Sequence, residues 1–122
     1  MEPPVRIEVV ACEPDETPGR WQVTYRVLNF ATSTVVLKDA WVPHGRFRGG
    51  GHVALDASIG PGAEFHLTLG VASREEPGTS LENAFLILRT STCRVFARMR
   101  IDFDAQRRPR PVVIVVTAQS LE

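Results

Sequence analysis

Residues 94–103 read Arg-Val-Phe-Ala-Arg-Met-Arg-Ile-Asp-Phe, and their polarity alternates with a period of two. Val95, Ala97, Met99, Ile101 and Phe103 fall on one side. Arg94, Phe96, Arg98, Arg100 and Asp102 fall on the other. Only an extended backbone sends successive side chains to opposite faces, so this segment is a strand with one dry face and one wet face. The period recurs at Val5, Ile7 and Val9, at Trp21, Val23, Tyr25 and Val27, and at Phe65, Leu67, Leu69 and Val71. No window sustains the i, i+3, i+4, i+7 spacing of an amphipathic helix over three turns.

Turn-forming composition separates these runs at 13–19, 43–51, 60–62, 73–83 and 107–111. Strands are expected near 5–12, 20–29, 34–42, 52–57, 65–71, 85–88, 94–103 and 112–117. The third has mixed faces, interrupted by Lys38 and Asp39, which predicts a bulge or burial on both sides. Phe85-Leu86-Ile87-Leu88 is continuously apolar, as a central strand is. Short strands at this spacing predict an all-β, antiparallel sandwich of seven or eight strands, one domain over 1–122. The expected core is Val5, Ile7, Val9, Trp21, Val23, Tyr25, Val27, Phe65, Leu67, Leu69, Phe85, Ile87, Val95, Ala97, Met99 and Ile101. A chain of 122 residues buries roughly two-thirds of its unfolded surface, enough for such a core without staples.

Three segments carry a resemblance. The run 21–29, Trp-Gln-Val-Thr-Tyr-Arg-Val-Leu-Asn, looks like a second strand ending in Asn before a turn. The run 59–65, Ile-Gly-Pro-Gly-Ala-Glu-Phe, looks like a Pro-Gly turn entering a fifth strand, and 83–104 like a sixth and seventh strand joined as a hairpin. In these the chain resembles the immunoglobulin-like and fibronectin type III-like sandwiches, which implies an architecture. Cys12 and Cys93 do not stand where antibody-type domains pair their cysteines, and the strand at 112–117 is extra to a seven-strand plan. Such sandwiches host many activities, so the resemblance implies none of them.

The charge balance narrows the partners. Formal net charge is zero, so no global field draws nucleic acid or an anionic membrane. Residues 1–88 nevertheless hold 7 basic and 11 acidic residues, and 89–122 hold 7 and 3. Arginine supplies 13 of the 14 basic residues, with Lys38 the single lysine. Codon bias in a GC-rich genome accounts for that; selection for planar anion contacts would require the arginines to cluster. No apolar run approaches the length of a membrane span, and the start shows no basic stretch followed by an apolar one. A cytoplasmic protein with reduced cysteines is expected.

The segment 43–52, Pro-His-Gly-Arg-Phe-Arg-Gly-Gly-Gly-His, is the candidate ligand site, with His44, Arg46, Phe47, Arg48 and His52 as its residues. Two arginines around an aromatic, with exposed glycine amides, suit an anionic or sugar-like small molecule. The segment fits neither the dinucleotide fingerprint nor the phosphate loop. His44, His52 and His66 lack the spacing of zinc ligands, so no metal and no cofactor are expected. No nucleophile motif occurs, and Asp102 and Asp104 read as cross-strand ion-pair partners rather than a catalytic dyad, so no enzyme is expected. Arg94, Arg98 and Arg100 around Phe96 admit nucleic-acid binding; the competing expectation is a solvated face paired to Glu8, Glu64 or Glu82.

The last strand is apolar on both faces from Val112 to Val116. Left at an edge, it is a liability that something must cover. The leading expectation is therefore a non-enzymatic protein-interaction or assembly module. Its partner would be a protein or a second copy, through the C-terminal strand, with Phe96, Arg98, Val113 and Val115 as candidate interface residues. Neither nucleic acid nor a membrane is the expected partner.

Overall fold

In a computed structural model of the chain, which describes residues 1–121, the strands run in order β1 (Val5–Pro14), β2 (Arg20–Asn29), β3 (Val35–Trp41), β4 (Pro43–His44), β5 (Phe47–Gly49), β6 (Val53–Ile59), β7 (Glu64–Ala72), β8 (Ser80–Thr90), β9 (Cys93–Phe103) and β10 (Pro109–Ser120). They form two five-stranded sheets, ordered β1-β2-β7-β5-β4 and β10-β9-β8-β3-β6. All their pairings are antiparallel. The sheets pack face to face as an all-β sandwich.

The alternation at 94–103 becomes β9, whose Val95, Ala97, Met99, Ile101 and Phe103 are all buried. They meet Val23, Tyr25 and Val27 of β2 and Leu67, Leu69 and Val71 of β7 from the facing sheet, all in one buried cluster. Tyr25 is fully enclosed and reaches across the sandwich, its Oη donating to Met99 Sδ at 3.7 Å. Burial drives the Tyr25 hydroxyl pKa far above its ordinary value. The expected irregularity in the third strand is a bulge between Leu37 and Asp39.

Two expectations need correction. The strands number ten, not seven or eight. Part of the excess comes from 43–49, read from composition as a loop but folded into the β4–β5 hairpin, which finishes the first sheet by pairing Arg48 with Ala72. Phe47 explains why: it is fully buried, so the hairpin is pinned by an aromatic anchor in the core.

The second correction concerns β8. Phe85 and Ile87 are only half-buried, while Ala84, Leu86 and Leu88 fill the core. Four consecutive apolar residues carry no phase of their own. The phase is set by β9, where Leu86 stands opposite Ala97 and Leu88 opposite Val95. A bulge between Leu81 and Ala84, with Asn83 at a positive φ of 58°, resets the face. Asparagine tolerates that left-handed conformation better than most residues.

The turn after β2 is held by buried Asn29. Its Nδ2 donates to the carbonyls of Ser33 (2.9 Å) and Ile59 (2.8 Å), and its Oδ1 accepts from the Ala31 amide (2.9 Å). One side chain thus ties the end of a strand in one sheet to the end of β6 in the other.

Candidate functional site

The structure disperses the five residues of the 43–52 segment. Phe47 belongs to the core, which removes it from any ligand surface. Arg46 is exposed and ion-paired with Glu75, and its carbonyl accepts from Ser73 Oγ at 2.6 Å. His44 Nδ1 accepts the Arg46 amide at 3.0 Å, closing the hairpin turn on itself. Arg48 is exposed beside Ala72. His52 lies beyond the crossover to the other sheet, stacked on Trp41 with ring centroids 4.4 Å apart. Arg46 and Arg48 therefore share one hairpin, and His52 serves a different surface.

That surface is the outer face of the second sheet. Cross-strand register fixes its rows, because residues directly opposite point to the same side. Trp41, Ile87, Phe96 and Thr117 form one row, and Asp39, Arg89, Arg94 and Gln119 the next. On the other side of the first row, Phe85, Arg98 and Val115 line up. Phe85 meets Phe96 edge to face at 6.4 Å, a favoured aromatic geometry. Asp39 accepts from Arg89 at 2.8 Å, and His52 Nδ1 lies 3.5 Å from its other oxygen. A shallow hollow of about 380 Å³ opens between Trp41, His52, Ile87 and Phe96, with Arg89 and Arg94 at its rim.

The arginine stripe of β9 is placed as the alternation requires, but its partners differ from those expected. Glu8 and Glu64 are both taken by Arg26, at 2.7 and 2.6 Å. Arg100 pairs within its own strand, with Asp102 at 3.0 Å. Arg94 and Arg98 enter no ion pair among the described residues. Asp104 lies past the end of β9 and caps a turn, accepting the Gln106 and Arg108 amides at 2.9 Å each. The Asp102–Asp104 pair is therefore divided between a strand and a turn.

The four candidate interface residues also divide. Val115 is exposed and sits opposite Arg98 on the outer face, beside half-buried Phe96. Val113 faces the other way and packs against the core. A bulge at Ile114 separates them. β10 is the edge of its sheet and β1 the edge of the other. Between these two edges runs a groove of about 520 Å³, lined by Ile7, Leu28, Phe30 and the 113–116 stretch. Val112, Ile114 and Val115 are 56%, 53% and 41% exposed.

The remaining reactive groups are quiet. Both cysteines are free thiols, and burial pushes the Cys12 thiol up to about 11, which keeps it protonated and unreactive at neutral pH. Among the described residues no three of His, Cys, Asp and Glu converge as metal ligands would, and no helix is long and apolar enough to cross a membrane. Phe96 and Arg98 lie on the outward face that the alternation of their strand assigns to them. Phe85 and Ile87 read as core and Trp41 belongs to a strand of mixed faces, so their shared outer row emerges only from the register. Comparison with known proteins returns no matching family model, no similar curated protein and no similar solved structure.

Proposed function

We propose that this chain is a non-enzymatic assembly module that pairs with a second copy of itself along β10. The observation that carries the reading is the contrast between the four sheet edges. β4 has two residues; β6 carries Asp56 at a positive φ; β1 carries Arg6, Glu8 and Glu13. Short length, backbone irregularity and charge are the ordinary ways of blunting an edge. β10 has twelve residues, interrupted by a single bulge at Ile114, and after Arg110 none through Ser120 is charged. Pro109 and Pro111 guard only its first residues.

The strand is self-complementary. Because the bulge at Ile114 shifts the alternation, the antiparallel pairing that keeps the two faces in phase sets Val112 of one copy against Val115 of the other, and Pro111 against Val116. It places each Arg110 opposite the uncharged 117–120 end of the second copy, so no like charges meet. The product is a continuous sheet across a two-fold axis, the isologous contact that closed dimers use. The Phe85–Arg98–Val115 row then continues into Val112 of the second copy and extends the apolar seam.

The strand order supports an immunoglobulin-like reading of the sandwich. With β4–β6 set aside, β1, β2 and β7 occupy one sheet and β3, β8 and β9 the other, as in that plan's first, second and fifth against third, sixth and seventh strands. β10 is an addition beyond the last of them, which makes a dedicated pairing strand a natural use for it.

Sedimentation velocity and light scattering over a wide concentration range test the pairing. A dimer is expected, and Val115→Lys, a change at an exposed position, is expected to give a folded monomer. A wild-type chain that stays monomeric throughout, or a Val115→Lys dimer, overturns the reading.

A further inference from the structure

Away from β10, the outer face of the first sheet carries a second feature. Arg20 of β2 and Arg48 of β5 both stand opposite Ala72 of β7. Two guanidinium groups therefore flank one small side chain in a single cross-strand row, and both residues are exposed. The next row pairs Gln22 with Gly70, and the Gln22 amide and the Arg20 guanidinium lie over the glycine.

Three chain segments are stitched together at the end of this row. Buried Ser73 donates its amide to the Gly19 carbonyl at 2.9 Å and its hydroxyl to the Arg46 carbonyl at 2.6 Å; its own carbonyl accepts Trp21 Nε1 at 3.0 Å. The stitching brings Arg46 and Arg74 to the same place. Arg74 lies across Gly19, where any Cβ would fall 2.2 Å from its Nε, and donates to the Pro18 carbonyl at 2.7 Å. The result is an open groove of about 330 Å³ lined by Arg20, Arg46, Arg48 and Arg74.

The groove is far from neutral, although the chain is. Its one lining carboxylate, Glu75, is held by Arg46. Asp15 lies near enough to feel the Arg20 charge, but its oxygens are occupied by the Glu16 amide at 2.7 Å and Gln22 Nε2 at 3.0 Å. Arg20 and Arg48 make no ion pair among the described residues. With Asp15 counted beside Glu75, four positive groups face two negative ones, and a small oxyanion neutralises the excess. Guanidinium forks match tetrahedral oxyanions in geometry as well as charge.

We infer that this groove binds a phosphate-class oxyanion of at least two negative charges, held between Arg20 and Arg48 with Arg74 and Arg46 at its sides. The groove is open and polar, which fits a phosphoryl group presented from solvent rather than an enclosed apolar molecule.

Calorimetric titration of the full chain at low salt, with pyrophosphate as the probe, tests the inference. Saturable one-to-one binding is expected. The Arg20→Gln/Arg48→Gln double variant is expected to weaken it by about tenfold or more, as loss of charge-assisted contacts does. Arg94→Gln, on the other sheet, is expected to leave it unchanged. Glu75→Gln gives an independent reading, because it frees Arg46 and is expected to tighten binding. A parallel arm uses phosphatidylcholine vesicles with and without phosphatidic acid. Vesicle binding lost in the double variant, without binding of free pyrophosphate, assigns the phosphoryl group to a lipid. Absence of binding in both arms overturns the inference, as does equal binding by the double variant or weaker binding by Glu75→Gln. None of these outcomes bears on pairing through β10, which lies on the other sheet.

Discussion

Asn29 shows how much one polar side chain can carry when it is buried. Its two donor contacts reach the Ser33 carbonyl in the β2–β3 turn and the Ile59 carbonyl at the end of β6. Replacing it strands those carbonyls in the interior, and an unsatisfied buried group costs about 1–3 kcal/mol. Asn29→Ala is accordingly expected to lower stability by about 2 kcal/mol or more in urea denaturation; a change within experimental error would show that water takes over both contacts. The sequence displays Asn29 only as the last residue of a strand. The carbonyls it donates to lie four and thirty residues away, and no local pattern encodes the longer of these.

At the level of the element, β8 and β9 are instructive together. β9 alternates strongly, so its dry face was legible from its own residues. β8 presents Phe85-Leu86-Ile87-Leu88, where either face is apolar, and its phase comes from pairing with β9. The two assignments predict different mutational costs. Leu86→Ala opens a cavity in the core and is expected to cost about 2–5 kcal/mol. Phe85→Ala trims a half-exposed ring and is expected to cost clearly less, despite the larger side chain removed. Thermal denaturation of the two variants decides between the phases, and a reversed order would contradict the register. The same reasoning applies to the 43–52 segment. Glycine content suggested a loop, but Phe47 in the core makes part of it a hairpin.

Across the whole molecule, several surface carboxylates are held below their ordinary pKa values. Glu64 is lowered chiefly by its hydrogen bond from Arg26, Asp102 by that from Ser80, Asp104 by the Arg108 amide and Asp15 by the Glu16 amide. A carboxylate depressed in the folded state binds fewer protons there than when unfolded. Its stabilisation is complete above the ordinary values of 4.5 for Glu and 3.8 for Asp, and fades as pH falls through the folded values. The melting temperature is therefore expected to decline on acidification below that range, and Glu64→Gln is expected to reduce the slope. A wild-type melting temperature that holds or rises there would show that these contacts do not persist in solution. By itself the sequence determined the all-β class, the dry face of β9 and the apolar character of both faces of β10, because strand periodicity and charge depletion are local properties. Only the tertiary structure decided which way β8 faces, that Phe47 is core, and that Arg20, Arg46, Arg48 and Arg74 share a groove. Those facts depend on register and on contacts between distant segments, and a period of two is the same in every register.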